Sequence, residues 1–400
     1  MNPRISIGSY AIVQLLILVF CLWLVHRSGF LSAWPAVKRT LFTIITILYI
    51  AFSILPVAGT LCKNGPVKFA CQGAGDIWLG FLLYFEGILV VGALLALIVC
   101  GVGRLSGHSW RFCSCMQPVL ILSVCAGAVL LVYGMLHAQN TVVTEFDVTI
   151  DKPAGDLKEM KLVLLGDLHL SVNSNLKMIQ NMVDEVNKQE ADAVVIAGDI
   201  FTSSYEALKD PDQYAAVLSQ IKSRYGTYAV YGNHDVEENL FGGFPITPIS
   251  EAFRSDNMEQ FFRDCNFHVL YDETAELAGG AVLLTGRVDG EKAGDGTAQR
   301  KSPADLLAGV DTQKPVIILQ HEPVEFAALK ENGADAALCG HTHAGQVFPG
   351  NLIVPFFNEN AYGYKNVGGL ETVVTSGIGY YGPPMRVGTN SEIAIIHIHF

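Results

Sequence analysis

The stretch KLVLLGDLHL, residues 161–170, joins a short apolar, β-prone run directly to Gly166, Asp167 and His169. Four more apolar runs of this kind follow along the chain, and each also ends in residues of metal-binding type. Strands that carry polar residues at their carboxyl ends are typical of α/β sheets with a site at that edge. This repeated unit therefore decides the fold class of the second half of the chain.

The five runs are LVLL, AVVIA, YAVY, VIIL and AALC, and amphipathic stretches such as 176–189 and 214–225 lie between several of them. The polar groups that follow the runs are Gly166-Asp167-Leu168-His169, Gly198-Asp199, Gly232-Asn233-His234-Asp235, His321-Glu322-Pro323 and Gly340-His341-Thr342-His343. Strand, ligand and helix in alternation predict a layered α/β fold. A single His-x-His is weaker evidence, and we interpret His397 and His399 as part of a solvated strand face.

The side chains in these groups point to a metal site with oxygen and nitrogen ligands. The candidate ligands are Asp167, His169, Asp199, Asn233, His321, His341 and His343. Such ligands favour Mn, Fe or Zn over metals that prefer thiolates. They are too many for one ion, so we expect two divalent metal ions about 4 Å apart that share a carboxylate. A metal pair of this kind suits hydrolysis of phosphate esters, because it holds the attacking and leaving oxygens in line.

In their order, D-x-H, GD-x-x-D, GNH[DE], H and GH-x-H, the motifs over residues 160–345 resemble the calcineurin-like metallophosphoesterase superfamily. The tail VVTSGIGYYGPPMRVG (373–388) is similar to the closing segment of its membrane-anchored bacterial branch. The resemblance implies an α/β phosphoesterase domain built as a layered β-sandwich flanked by helices. One position departs from the pattern, because Thr202 stands where the family usually has Asp. That position does not bind metal in the family, so we expect the departure to weaken a supporting contact rather than the activity.

The resemblance also assigns roles to the polar side chains. One ion would be held by Asp167, His169 and His343 and the other by Asn233, His321 and His341, with Asp199 bridging them. A hydroxide bridging the two ions would attack phosphorus.

His234 would then be the general acid that protonates the leaving oxygen, and Asp235 would orient its imidazole. In the glycine-rich tail, Arg386 and Tyr380 or Tyr381 are candidates for contact with the substrate, Arg386 by bidentate pairing with phosphate oxygens. A structural role for Arg386 under the glycine turn is an equal alternative.

The first third of the chain differs from the rest in charge and in hydrophobicity. Residues 1–137 hold 8 basic and 2 acidic side chains, whereas residues 138–400 hold 18 and 36. Four apolar stretches, roughly 9–26, 40–58, 77–101 and 117–136, are long enough to cross a bilayer as helices. We therefore predict a four-helix transmembrane region at 1–137 and a catalytic domain at 138–400. The acidity of the catalytic half argues against nucleic acid as a partner.

Charge and cysteine placement predict the topology of the membrane region. The first and third loops carry Arg27, Lys38, Arg39, Arg104 and Arg111, against Arg4, Lys63 and Lys68 on the other side. The positive-inside rule then places the catalytic domain outside the cytoplasm, in a multi-pass protein of the cell membrane. The second loop, CKNGPVKFAC, would suit a disulfide between Cys62 and Cys71 in that oxidising compartment, with two unpaired thiols as the alternative.

The leading hypothesis is a metal-dependent phosphoesterase or pyrophosphatase whose attachment to the bilayer suggests a lipid-linked substrate, with soluble phosphodiesters and nucleotides left open. The alternative is a membrane sensor or scaffold that binds a phosphorylated ligand without turning it over. Glu86, inside the third span, is interpreted as a protonated or hydrogen-bonded structural residue. The sequence gives no oligomeric state.

Overall fold

The computed structural model describes residues 3–27, 33–63, 65–108, 110–297 and 299–400, with side chains described from Ile5 onward. Its contacts divide the chain into two units. The helical unit contains Met1–Met135, Leu240–Ile246 and Gly382–Pro384, and the sheet unit contains the rest. The domain boundary after residue 137 stays a prediction, although two short segments from the second half of the chain join the helical unit.

Four long helices make up most of the helical unit: α1 (Pro3–Arg27), α2 (Pro35–Leu61), α3 (Pro66–Leu105) and α4 (Phe112–His137). Each is long and apolar enough to cross a membrane, and each contains one of the four stretches that the sequence predicts. With 40 residues, α3 is about 60 Å long. It therefore exceeds a hydrocarbon core of about 30 Å.

A short chain of polar contacts lies among the apolar helices. Glu86 on α3 accepts a hydrogen bond of 2.7 Å from the Gln14 amide on α1. The Gln14 carbonyl in turn accepts a bond from the Tyr49 hydroxyl on α2. Three helices are thus joined through one polar cluster, which agrees with the structural interpretation of Glu86.

The disulfide suggested for the second loop is not formed, because Cys62 and Cys71 are both free thiols. The sequence interpretation treated 62–71 as one loop. Since α3 already begins at Pro66, Cys71 lies in a helix and Cys62 follows the last residue of α2.

The sheet unit contains helices α5 (Leu176–Lys188), α6 (Pro211–Leu218), α7 (Asp256–Asp264), α8 (Pro303–Leu306), α9 (Phe326–Glu331) and α10 (Gly350–Ile353). The strands are β1 (Thr141–Thr149), β2 (Glu159–Leu165), β3 (Ala193–Ile196), β4 (Thr227–Ala229), β5 (Leu240–Phe241), β6 (Phe244–Pro245), β7 (His268–Val269), β8 (Thr274–Leu277), β9 (Val282–Gly286), β10 (Val316–Leu319), β11 (Ala336–Cys339), β12 (Gly363–Val367), β13 (Leu370–Val374) and β14 (Ser391–His399). The hairpin β5–β6 belongs to the helical unit; the other strands form two sheets.

The two sheets have six strands each, in the orders β1-β14-β2-β3-β4-β7 and β12-β13-β11-β10-β9-β8. Strands β2, β3 and β4 run parallel, as do β9, β10 and β11. Strand β14 pairs with β1 in parallel and with β2 in antiparallel orientation. Parallel neighbours bring their carboxyl ends to one edge of each sheet, which is where the sequence places its polar groups.

Alternation of side chains along each strand builds three apolar layers. On β2, Leu162 and Leu164 point into the layer between the sheets, together with Ile317 of β10. The intervening Val163 faces α5, α6 and α7 in a second layer. On the far side of the other sheet, Ile318 of β10 packs with residues of α9. The predicted β-sandwich flanked by helices is confirmed.

We expect Ile396→Ala to destabilise the sheet unit, because Ile396 is fully buried between the sheets on β14. The free energy of unfolding should fall by about 2–5 kcal/mol, the usual range for such a cavity. Pulse proteolysis of the detergent-solubilised chain across a urea series measures it. Val143→Ala on the neighbouring β1, where the side chain is 38% exposed, is the matched control, and an equal loss there would contradict the proposed layering.

Candidate metal centre

The ends of parallel strands bring the candidate ligands together. Asp167 follows β2, Asp199 follows β3 and Asn233 follows β4, all neighbours in the first sheet. His321 follows β10 and His341 follows β11 in the second sheet. Because the sheets face each other across a shared apolar layer, the two sets of side chains meet at one edge of the sandwich.

One group of ligand atoms is formed by Asp167, His169 and His343, which are all buried and lie within 4.8 Å of one another. The Nε2 atoms of His169 and His343 are 3.0 Å apart. Asp167 Oδ1 lies 3.5 Å from His343 Nε2. Two ring nitrogens and a carboxylate oxygen thus converge on one point.

A second group surrounds His321. Its Nε2 atom lies 3.0 Å from Asn233 Oδ1 and 3.2 Å from His341 Nδ1. His321 thus contacts both of the other residues that the resemblance assigns to the second ion, and it also converges with Asp167 and Asp199.

Asp199 lies between the two groups. Its Oδ2 atom is 3.5 Å from His169 Nε2 and 3.2 Å from His321 Nε2. One carboxylate oxygen thus faces a candidate ligand of each group.

The backbone at this edge is held in an unusual conformation. Positive φ angles occur at five of the seven candidate ligands: Asp167, His169, Asp199, His341 and His343. Such angles are costly for residues other than glycine and cluster at functional sites. The close packing of the backbone against Asp167 and Asp199 also requires glycine at two positions. A Cβ on Gly340 would lie 2.7 Å from Asp167 Oδ2, and one on Gly232 would overlap Asp199 Oδ1.

Contacts behind the ligands fix the direction in which each one points. His321 Nδ1 donates to the Ala197 carbonyl at 2.6 Å, which leaves Nε2 to face the site. Asn233 Nδ2 donates to Glu291 at 3.0 Å, which turns its carbonyl oxygen inward. Thr202 Oγ1 lies 3.1 Å from His169 Nδ1. Supporting contacts of this kind orient metal ligands and tune their basicity.

Burial and the carboxylates set the charge of the centre. Burial lowers the pKa of His169 to about 3 and that of His341 to about 4, so both rings are neutral and able to bind a cation. Burial also raises the pKa of Asp167 to about 7. At His321 burial opposes the charged ring, but Asp199 and further carboxylates outweigh it and hold the pKa well above its usual value. The carboxylates therefore favour positive charge at the centre of the cluster.

The side chains of this cluster have the chemistry of a metal site. The donors are carboxylate, amide and imidazole atoms, which suit Mn, Fe or Zn. They converge within hydrogen-bonding distances although several of them are acceptors only, and the carboxylates favour a cation between them. The residues fit bound divalent metal ions.

His234 is oriented by residues other than the one the sequence suggested. Its Nδ1 atom lies 3.0 Å from Ser203 Oγ and 3.4 Å from Glu238 Oε1. The same Glu238 oxygen accepts from Lys292 Nζ at 2.6 Å. The Asp235 carboxylate instead accepts two backbone bonds of 2.8 Å, from the amides that follow β3 and β4.

The suggestion that Asp235 orients the imidazole is therefore corrected. Asp235 ties together the two loops that carry Asp199 and Asn233, because its two oxygens accept from Phe201 N and Gly232 N. Both oxygens are thus engaged by the backbone, and Nδ1 of His234 is left to Ser203 and Glu238.

The three substrate candidates in the tail occupy different environments. Arg386 is completely buried and donates to four backbone carbonyls, those of His343, Ser376, Gly377 and Gly379. Its NH2 group also lies 3.4 Å from His343 Nδ1. These contacts match the structural alternative for Arg386, which supports a ligand and its loop, and correct the suggestion of a phosphate contact.

The two tyrosines also differ. Tyr380 belongs to the apolar layer beside α5 and donates its hydroxyl to the Asn173 carbonyl at 2.8 Å, so it faces away from the site. Tyr381 stacks on His234 with ring centroids 4.4 Å apart and lies 5.2 Å from the His169 ring. Of the three candidates, Tyr381 is the one whose side chain packs on the rings of His234 and His169.

Sequence reasoning missed Ser203, Glu238 and Lys292 as partners of His234, and Glu291 as the partner of Asn233. One signal in the sequence is Thr202, the position that departs from the family pattern. Ser203 is the next residue and Glu238 lies four residues after His234. Their approach to the imidazole depends on how two loops fold back on each other.

Comparison with known proteins shows which family the chain resembles and several of its relatives. The profile of the calcineurin-like phosphoesterase family matches residues 160–345. A transmembrane protein with metallophosphoesterase domain from Danio rerio is 32% identical over 397 residues, which cover 94% of this chain and 85% of the relative. A Bos taurus protein of the same description is 31% identical and covers 82% and 72%. An uncharacterized metallophosphoesterase from Helicobacter pylori is 33% identical over 245 residues, 60% of each chain.

Replacing the carboxylate between the two groups should remove bound metal. We expect Asp199→Asn to lower the metal affinity by more than the roughly 10–100-fold typical of lost supporting contacts, because the amide loses the negative charge shared by both groups. Metal per chain after equilibrium dialysis, measured by plasma mass spectrometry, checks this. Asp184→Asn, on the exposed face of α5, is the control, and parental metal content in Asp199→Asn would refute the bridging geometry.

Proposed function

The chain belongs to the calcineurin-like metallophosphoesterase family and is a membrane-bound phosphoester hydrolase; on that premise we propose that it works through two divalent ions bridged by Asp199. The observation that carries the proposal is the Asp199 oxygen facing His169 and His321 at 3.5 and 3.2 Å. We infer that Asp167, His169 and His343 hold one ion. Asn233, His321 and His341 hold the other.

Two bound ions would activate a water molecule as the nucleophile and neutralise charge on the phosphoryl oxygens. The chain itself supplies rigid placement of the ligands. Asp235 and Arg386 are buried and tie the ligand loops through backbone bonds. Rigid placement matters because misplacement of a catalytic group by about 1 Å can cost about 100-fold in rate.

His234 is the proposed general acid. Glu238 and Ser203 contact its Nδ1 atom and thereby fix the orientation of the ring. The proton at Nε2 can then pass to the leaving oxygen of the ester. The His234 ring lies 5.7 Å from the His169 ring, centroid to centroid, and so stands beside the first ligand group.

The finer features of the proposal concern the substrate and the membrane. We infer that the bond cleaved is a phosphate ester or pyrophosphate, and that the substrate is lipid-linked, since β1 begins four residues after the last membrane helix ends. We also propose that the sheet unit lies at the outer face, an orientation that the loop charges support. The dedicated contacts of His234 favour turnover over the alternative of a non-catalytic sensor, because binding alone would not require a general acid.

The first test is hydrolysis of an aryl phosphodiester by the purified full-length chain with added Mn. We expect metal-dependent turnover, abolished in Asp199→Asn. His234→Ala should retain its metal and lose about 10²–10⁴-fold in kcat, the usual contribution of a general acid. Glu238→Gln should lose less, with unchanged metal content, because the ring is only misoriented.

Asp184→Asn again serves as the control with parental turnover. If the parent chain bound metal but hydrolysed no phosphoester, the result would favour the non-catalytic sensor. Full activity of His234→Ala would remove the general acid from the proposal but leave the two-metal centre in place.

The topology is tested by labelling intact cells with a membrane-impermeant maleimide, in a chain whose native cysteines are replaced by serine. We expect Lys177→Cys on α5 to be labelled without permeabilisation and Ser106→Cys after α3 to require it, since both positions are exposed. The reverse pattern would place the sheet unit in the cytoplasm.

A further inference from the structure

An apolar segment of the sheet unit is exposed where a soluble domain would be polar. We call residues 348–357, which include α10, the lip. Five of its large apolar side chains are exposed: Phe348, Leu352, Ile353, Phe356 and Phe357, by 48, 57, 49, 86 and 80%. Single exposed apolar residues are common, but a contiguous group marks an interaction surface.

A cavity of about 490 Å³ lies beside the lip, and its lining includes Asn351 and Pro355 of the lip together with Asn358, Lys365 and Asn390. The exposed phenylalanines lie outside this lining. Their exposure suits a segment whose outer surroundings are apolar.

Hydrogen bonds connect the lip to the same loop that contacts the last residue of α4. His137, the final residue of α4, has its Nε2 atom 3.0 Å from Asn390 Oδ1 and 3.1 Å from the Thr389 carbonyl. The neighbouring residues pair directly with the lip. Phe348 N donates to the Val387 carbonyl at 2.8 Å, and Asn351 Nδ2 to the Gly388 carbonyl at 3.5 Å.

The lip is also joined to the metal centre. It begins five residues after His343, and Gly350 at its start packs against Gly345 so closely that neither has room for a side chain. Just before it, the Gln346 side chain accepts from Tyr381 N at 2.7 Å and donates to the Tyr381 carbonyl at 3.0 Å. Tyr381 in turn stacks on His234.

We propose that the lip is a bilayer-docking surface whose phenylalanines enter the membrane interface beside the end of α4. The occupant is lipid rather than a protein partner, because the lip shares a hydrogen-bonded loop with the last residue of a membrane helix. Half-exposed Tyr362, which also lines the cavity, fits the aromatic composition of membrane interfaces. Docking would hold the metal centre where lipid-borne phosphates are found, a consequence that rests on the proposed function.

The test places a photoreactive residue in the full-length chain, reconstituted in nanodiscs of phosphatidylcholine and phosphatidylglycerol. Phe356→p-benzoylphenylalanine and Phe357→p-benzoylphenylalanine change side chains that are mostly exposed, so folding should not suffer. After irradiation, intact-mass spectrometry should show a gain of one phospholipid mass on each variant. The readout needs no catalytic activity, so its failure is distinct from failure of the proposed function.

Arg224→p-benzoylphenylalanine is the matched control. The Arg224 side chain is 71% exposed and precedes β4, at the opposite end of the strand from Asn233. We expect no lipid adduct there. Absence of adducts at 356 and 357, equal adducts at 224, or a cross-link from the lip to a second protein chain would each overturn the proposal.

Discussion

Two buried carboxylates, Asp167 and Asp199, lie close together where the ends of the two sheets converge, and their like charges repel. Burial raises the pKa of Asp167 to about 7, and the neighbouring charge of Asp199 adds to that effect. A pair of carboxylates in such a place is stable only with positive charge between them. The neutral imidazoles of His169 and His341 supply donors without adding charge of their own, so the arrangement favours divalent cations.

The geometry of the two packed sheets brings the candidate ligands together around the two carboxylates. Parallel strands deliver one ligand loop each, and the buried layer between the sheets fixes how far apart the loops lie. Five of the candidate ligands have positive φ, a strain that persists only where surrounding structure holds it. Asp235 and Arg386 provide part of that support, because each is buried and bonds to backbone groups of the ligand loops. Asp235 and Arg386, which the sequence suggests for orienting the general acid and for binding substrate, thus hold the ligand loops in position.

The contacts of the His234 Nδ1 atom come from residues outside the motifs that carry the family resemblance. Thr202 stands at a position usually held by Asp, and it contacts His169 instead. A carboxylate nevertheless reaches the His234 imidazole from Glu238, whose own charge is balanced by Lys292. The physical requirement is a buried acceptor at Nδ1, and a different loop satisfies it.

The sequence by itself determined the two-part organisation, the four apolar helices, the class of the sheet unit and the seven candidate ligands. Each of these is encoded locally, by hydrophobic length, by side-chain alternation and by polar residues at strand ends. Only the tertiary structure decided the roles of Asp235, Arg386 and Tyr381, the free state of Cys62 and Cys71, and the partners of His234. These depend on which loops meet and on whether a turn is helical. Contacts between residues far apart in the chain are set by the packing of the two sheets, and the spacing of residues along the sequence does not record them.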